Sequence, residues 1–202
     1  MIEQGTPEWH AQRLGKLTAS RIADATAETK SGGWGASRTN YMTDLLIERL
    51  TGCPTDYFIS PAMAEGTRLE PEARAVYEFE RNISVALIGF VEHPTIAMSG
   101  GSPDGLIGKD GLVQFKCPIK GTHGRTLLGE KIDGGYIKQM QWELACTGRL
   151  WCDWVSYNPN FPIEMRMVVR RVERDAKMIT KLEDQARQFL AELDGNLKAL
   201  NA

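Results

Sequence analysis

Asp104 stands ten residues ahead of a Gln114-Phe115-Lys116 triplet in the segment SPDGLIGKDGLVQFKCP, Ser102 to Pro118. Side chains of these types suit phosphodiester hydrolysis, which needs anionic oxygens to hold divalent ions and a cation or base near the attacking water. Residues 111–116, GLVQFK, alternate enough to form a short strand. Gln114 and Lys116 then leave the same face, about 6.5–7 Å apart, and Asp104 sits on the neighbouring strand beside them. Glutamate would be the natural residue at 114, since Mg²⁺ prefers hard carboxylate oxygens and a neutral amide cancels none of its charge. The same letters also fit a plain hairpin, because Asp-Gly is a common turn and a polar-apolar-Lys triplet suits many half-exposed strands.

The surrounding chain must supply the elements that hold these residues. Short helical segments are expected near 7–13 and 18–27, followed by a mobile Gly-rich loop, KSGGWGAS, at 30–37. Ser37 caps a helix of roughly 38–51 with Tyr41, Leu45, Leu46 and Leu50 as its apolar stripe, and Gly52 and Pro54 end it. A helix over 61–81 carries Glu70 and buries Ala62, Leu69, Ala73, Val76, Tyr77 and Phe79. Three strands in a meander follow, from ISVALIGFVEH, TIAMSGGSPDGLIG and GLVQFKCP. Next come a helix at 133–147 closed by Gly148, the strands LWCDWVSYN and IEMRMVVRRV, and a terminal helix over about 174–199. Its Ile179, Leu182, Phe189, Leu190 and Leu193 lie on one side, to cap the core or serve an interface. Strands between helical layers define an α/β sandwich.

With 202 residues, 42% of them hydrophobic and 25% charged, the chain suits one domain spanning 1–202 with a substantial core. A net charge of −2 and a pI near 6.0 give no global sign of nucleic-acid binding, so any DNA contact must be a local basic surface. Cysteines 53, 117, 146 and 152 form no C-x-x-C pair and histidines 10, 93 and 123 are scattered, which argues against structural zinc. No apolar run reaches the ~20 residues of a membrane span, and MIEQGTPEWH lacks the regions of a signal peptide. The expectation is a cytoplasmic protein with reduced thiols and no membrane partner.

The order of helix, three strands bearing Asp-x9-Gln-x-Lys, and helix with Gln-x-Gln resembles the restriction-endonuclease-like fold of PD-(D/E)xK nucleases, a central mixed β-sheet flanked by helices. EWHAQRLGKLTASRI, EGTRLEPEARAVYE, SPDG with FKCP, and YIKQMQWELA match in order the lambda exonuclease family, also called YqaJ-like viral recombinases, over roughly positions 8–157. The resemblance implies a metal-dependent 5′-to-3′ exonuclease. It would degrade the 5′-terminated strand of linear double-stranded DNA to mononucleotides and leave 3′ single-stranded tails for recombination. Two Mg²⁺ ions per site are implied, with Mn²⁺ a substitute, held by Asp104, position 114, the Phe115 carbonyl and Glu70. Lys116 would act on the attacking water or the phosphorane charge, and Gln141 would support the site through hydrogen bonds, Gln139 being two residues away and on another face. Arg13 and Ser20, with Thr18, would bind the terminal 5′-phosphate. A toroidal homotrimer, a single-strand annealing protein as partner, and a phage or prophage origin in a bacterial host are likewise implied.

Family members carry glutamate where this chain has Gln114. One Glu→Gln change removes charge and keeps shape, while Asp104, Glu70 and Lys116 persist. A deliberately disabled variant is therefore preferred here over a natural degenerate homologue, with weakened metal binding and activity lower by orders of magnitude. Two other readings remain at this point: a non-catalytic DNA-end-binding protein, and an endonuclease of the same fold.

Overall fold

The computed structural model describes residues 2–55 and 60–200. Its elements run α1 (Pro7–Arg13), β1 (Leu17–Thr18), α2 (Ile22–Ala25), α3 (Ala36–Thr51), α4 (Pro61–Arg81), β2 (Val85–Ala86), β3 (Val91–Glu92), β4 (Ser99–Gly101), β5 (Gly105–Ile107), β6 (Gly111–Lys116), α5 (Lys120–Leu127), α6 (Gly134–Thr147), β7 (Trp151–Tyr157), β8 (Met167–Glu173) and α7 (Ala176–Leu200). The larger sheet has the order β2-β5-β6-β7-β8, with β6 and β7 parallel and the other pairs antiparallel. A smaller sheet, β1-β4-β3, pairs β1 with β4 in parallel.

The alternation of β6 divides the core. Val113 and Phe115 pack with Ala73 and Tyr77 of α4, whereas Leu112 packs with Met140 and Leu144 of α6. A strand covered on both faces reads as a nearly continuous apolar run, and Gln114, 1% exposed, is the polar residue inside it. A third cluster joins α2, α3 and α7 around Ile22, Tyr41, Leu45, Leu182, Phe189 and Leu193, so the terminal helix belongs to the core. Helix ends follow local chemistry. Thr6 and Ser60 each cap a helix with proline in its first turn, accepting from the amides of Trp9 and Met63. Gly52 and Gly148 close α3 and α6 at positive φ, 67° and 70°.

Several local expectations change. Residues 18–27 are not one helix: β1, a 3₁₀ turn at Ala19–Arg21 and the four-residue α2 replace it, because Leu17 and Thr18 pair with Ser99 and Gly100. Ser37 does not cap α3, which starts at Ala36 behind Gly35, two residues earlier than expected. Ala62 and Phe79 lie on the solvent side of α4, Phe79 at 86% exposure, and Leu50 is exposed on α3. The buried stripe of α4 runs through Leu69, Ala73 and Tyr77 at four-residue spacing, and a residue two places past Tyr77 points away from it. The segments 30–35 form a bonded turn, with the Thr29 amide donating to the Gly33 carbonyl at 2.7 Å and Trp34 stacked under the Arg38 guanidinium. Helix α5 was not expected, since KGTHGRTL offers two glycines and little periodicity.

The expected meander is split. ISVALIGFVEH yields β2 in the larger sheet and β3 in the smaller one, and TIAMSGGSPDGLIG likewise yields β4 and β5. Asp104 stands where the chain passes from one sheet to the other. The four cysteines are free thiols. Among the described residues, no helix is long and apolar enough to cross a membrane.

Candidate active site

Antiparallel pairing of Gly105 with Val113 places Asp104 across from Gln114. The Asp104 Oδ2 accepts the Phe115 amide N–H at 2.7 Å, which locks the carboxylate against β6. Gln114 and Lys116 share a face as strand period requires, and Lys116 Nζ donates to Gln114 Oε1 at 3.1 Å. That face looks onto α6. Gln114 Nε2 donates to Glu143 Oε1 at 3.0 Å, and Gln139 Nε2 donates to the same oxygen at 3.0 Å and to Gln114 Oε1 at 3.3 Å. Lys116 also lies 5.0 Å from the centre of the Tyr136 ring.

From the opposite layer, Glu70 and Asp104 line a cleft of about 500 Å³ with Thr67, Arg74, Ile88 and Phe115. Pro71, inside α4, removes the helical bond to the Thr67 carbonyl at this wall. Burial first and then the neighbouring Asp104 push the Glu70 carboxyl up to about 7, against the opposing pull of Lys116 and Arg74. Burial raises Asp104 as well, opposed by Lys116, the Phe115 amide and Arg74. Glu143, fully buried, is pushed up to about 8 by burial and by Asp104. Three acids crowded around one lysine have the electrostatics that a bound cation relieves.

The donors fit a hard divalent ion: the Asp104 and Glu70 carboxylates, with the Phe115 carbonyl and the Gln114 amide oxygen as neutral candidates. Among the described residues, no three His, Cys, Asp or Glu side chains converge as a metal cluster. The neutral Gln114 stands where a third carboxylate would otherwise be expected.

The crowding has a measurable consequence for stability. In the folded protein Glu143 keeps its proton up to about 8, while the unfolded chain releases it near 4.5. The native state therefore binds more protons across that window, so stability falls as pH rises from about 4.5 to about 8, and Glu70 adds a smaller fall in the same direction. Thermal melting in chelator should drop by on the order of 5 °C between about pH 5 and about pH 8.5. Glu143→Gln should flatten most of that slope; a melting temperature that climbs with pH would contradict it.

Gln141 does not reach the site. Its side chain receives the Asp175 amide and donates to the Glu173 carbonyl, both at 2.8 Å, and so ties β8 to the start of α7. Two residues along a helix turn the side chain by about 200°. The glutamine facing Gln114 is Gln139. Glu143 follows it at i+4 on the same face, and that spacing in QMQWE was the available signal for a residue the sequence reading missed.

The second expected cluster comes together. Arg13 Nη2 donates to Ser20 Oγ at 3.3 Å, and the Ser20 and Thr18 hydroxyls are 3.3 Å apart. Arg13 Nη1 and Trp9 Nε1 both donate to Ser102 Oγ, at 3.2 and 3.1 Å, with the guanidinium 4.2 Å from the Trp9 ring centre. Arg13, Thr18 and Ser20 line a pocket of about 810 Å³ with Trp9, Lys16 and Arg21. Ser102 was also missed, although it belongs to the SPDG segment. It is two residues from Asp104, at most about 7 Å along an extended chain, so the hydroxyl-guanidinium cluster and the acidic cleft are neighbours.

A mixed sheet between helical layers, with an acid beside a Gln-x-Lys strand at its split, has the fold of the PD-(D/E)xK-like nucleases. The phage related exonuclease from Haemophilus somnus 129PT shares that fold with a TM-score of 0.76 at 14% identity, over 92% of this chain and 96% of that one. The chain belongs to the YqaJ-like viral recombinase domain family, whose pattern matches residues 8–150. It is 48% identical to the alkaline exonuclease LHK-Exo from Laribacter hongkongensis, over 97% of this chain and 96% of that one, with a TM-score of 0.90. LHK-Exo in complex with dAMP superposes with a TM-score of 0.89 at the same 48% identity, over 96% of each chain. No curated protein matches the sequence.

Proposed function

We propose that this protein is a metal-dependent exonuclease that enters linear double-stranded DNA at an end and removes the 5′-terminated strand as mononucleotides, leaving a 3′ single-stranded tail. Membership of the recombinase family and 48% identity to an alkaline exonuclease support DNA exonuclease chemistry. The observation that carries the finer reading is the adjacency of the Arg13–Ser20–Ser102 cluster to Asp104. A guanidinium forks onto phosphate oxygens and hydroxyls complete the cradle. A 5′-phosphate held there, with Thr18 at its edge, sets the polarity, and the short span to Asp104 suits excision of one nucleotide at a time. LHK-Exo in complex with dAMP, a mononucleotide, is in keeping with that product.

Mg²⁺, or Mn²⁺ in its place, would supply Lewis-acid stabilisation and an activated water, two ions per site, near Asp104, Glu70, Gln114 and the Phe115 carbonyl. Asp104 is prepositioned by the Phe115 amide. Lys116, held beside Gln114, directs its ammonium toward the reacting phosphate and the charge that grows on it. The amide at 114 leaves β6 one charge short, so turnover is lower by orders of magnitude than with a carboxylate there. Assembly as a toroidal homotrimer, action with a single-strand annealing protein, and a phage-borne role in the cytoplasm of a bacterial host complete the proposal.

The test is release of nucleotides from linear, 5′-phosphorylated duplex in Mg²⁺ with circular plasmid alongside. Digestion of the linear substrate with circles untouched is the expected result. Cleavage of circles would make the protein an endonuclease, and end binding with no release would make it a non-catalytic end-binding protein.

Arg13→Ala tests the polarity device. It should reduce discrimination between 5′-phosphate and 5′-hydroxyl ends by about tenfold or more, the worth of a charge-assisted hydrogen bond. An equal loss on both kinds of end would remove Arg13 from phosphate recognition.

A further inference from the structure

Glu143 is a buried acid that the proposed reaction leaves unused. It is wholly buried on α6, and a Cβ on Gly101 would stand 3.1 Å from its Cγ, so β4 packs tightly against its stem. Its Oε1 is held by two amides, from Gln114 and Gln139. Its Oε2 is buried with no hydrogen-bond partner among the described residues. A carboxyl kept for structure alone would have both oxygens satisfied, because an unmatched buried oxygen carries its full desolvation cost. The unmatched oxygen belongs to a group in contact with Gln114 and close enough to feel both Asp104 and Lys116.

The contact also decides which way the Gln114 amide points. Glu143 Oε1 accepts from the amide NH₂, which leaves the carbonyl oxygen to accept from Lys116 and Gln139. Glutamine thus fits at 114 because its NH₂ can donate to the acid that occupies the other side of the contact. Two carboxylates at this 3.0 Å separation could not both be ionised without a cation between them.

Resting on the metal-nuclease reading above, we infer that Gln114 and Glu143 act as one exchanged unit: α6 supplies the carboxyl group that β6 lacks and holds the Gln114 oxygen toward the site of the divalent ion. Glu143 is then a positioning residue that works through Gln114. The neutral residue on β6 is then only partly compensated, and the chain keeps a weakened ion site.

The experiment titrates Mn²⁺ alone into the DNA-free protein by calorimetry, on the starting chain, Asp104→Asn, Glu143→Gln, and the swapped pair Gln114→Glu with Glu143→Gln. Partners of this kind cost about 10–100-fold in metal affinity when altered, and Glu143→Gln should fall in that range. The swapped pair should return to within about threefold of the starting chain, since it preserves one amide and one carboxylate across the same contact. Gln114→Glu alone, read by melting, should be less stable in chelator than the starting chain and should gain more from Mn²⁺. Loss of Mn²⁺ binding in Asp104→Asn with affinity unchanged in Glu143→Gln would overturn the exchanged unit and leave the metal-nuclease reading standing. Failure of the starting chain to bind Mn²⁺ would overturn both. A swapped pair as weak as Glu143→Gln would likewise overturn the exchange, and its melting curve in chelator separates that result from misfolding.

Discussion

Asp104→Asn is expected to stop nucleotide release, by about a thousandfold or more, because it removes a carboxylate that faces both the Gln114–Lys116 strand and the Glu70 cleft. The same change should make the metal-free protein more stable. Burial raises the Asp104 carboxyl in the folded state, so the native protein holds it charged only at a cost, and asparagine has the same shape without the charge. The amide oxygen of the introduced asparagine can still accept the Phe115 N–H, so the lock on β6 survives. Activity lost with a raised melting temperature in chelator identifies a site that gives up stability for function. Activity lost with a lowered melting temperature would point to a folding defect instead, and retained activity would take Asp104 out of the reaction.

The pair of outcomes also bears on the pH behaviour. Asp104, Glu70 and Glu143 each sit above their ordinary range, with burial as the first cause in every case. A cation that binds among them displaces protons, so Mn²⁺ or Mg²⁺ should stabilise the protein more at high pH than at low pH.

How much of this was legible beforehand depends on the range over which each signal acts. Asp104, Gln114 and Lys116 could be placed together because strand period is local and a one-residue shift would turn them away from the site. The apolar side of α7 was readable for the same kind of reason, since Ile179, Leu182, Phe189, Leu190 and Leu193 repeat at helical spacing. Helix α6 was not: residues 140–146 are all buried, and a helix buried all round has no amphipathic phase to say which glutamine faces the site. The family resemblance pointed to Gln141, and nothing local to α6 corrected it to Gln139 or singled out Glu143. The division of β2 from β3 and of β4 from β5 depends on pairings between distant segments, such as Leu17 with Ser99. Neither strand of such a pair carries the register by itself. Ser102 shows the same limit, since its role depends on Arg13 and Trp9 arriving from residues about ninety positions away.

Lys116 separates charge from chemistry at this site. Its ammonium opposes the rise of Glu70, Asp104 and Glu143 alike and donates to Gln114 Oε1. Lys116→Ala removes both actions. Nucleotide release should fall by about a thousandfold with little change in the KM for DNA, as for a group whose interaction strengthens only in the transition state. The metal-free protein should also lose stability above neutral pH, because three buried acids lose their common counter-charge. Lys116→Arg retains a positive charge but replaces a compact ammonium on a flexible stem with a planar guanidinium that holds its proton throughout the accessible pH range. Stability should therefore recover in the arginine variant while activity stays low. Recovery of both would reduce Lys116 to an electrostatic counter-ion, and recovery of neither would mean that the space beside Gln114 and Tyr136 does not admit the larger group.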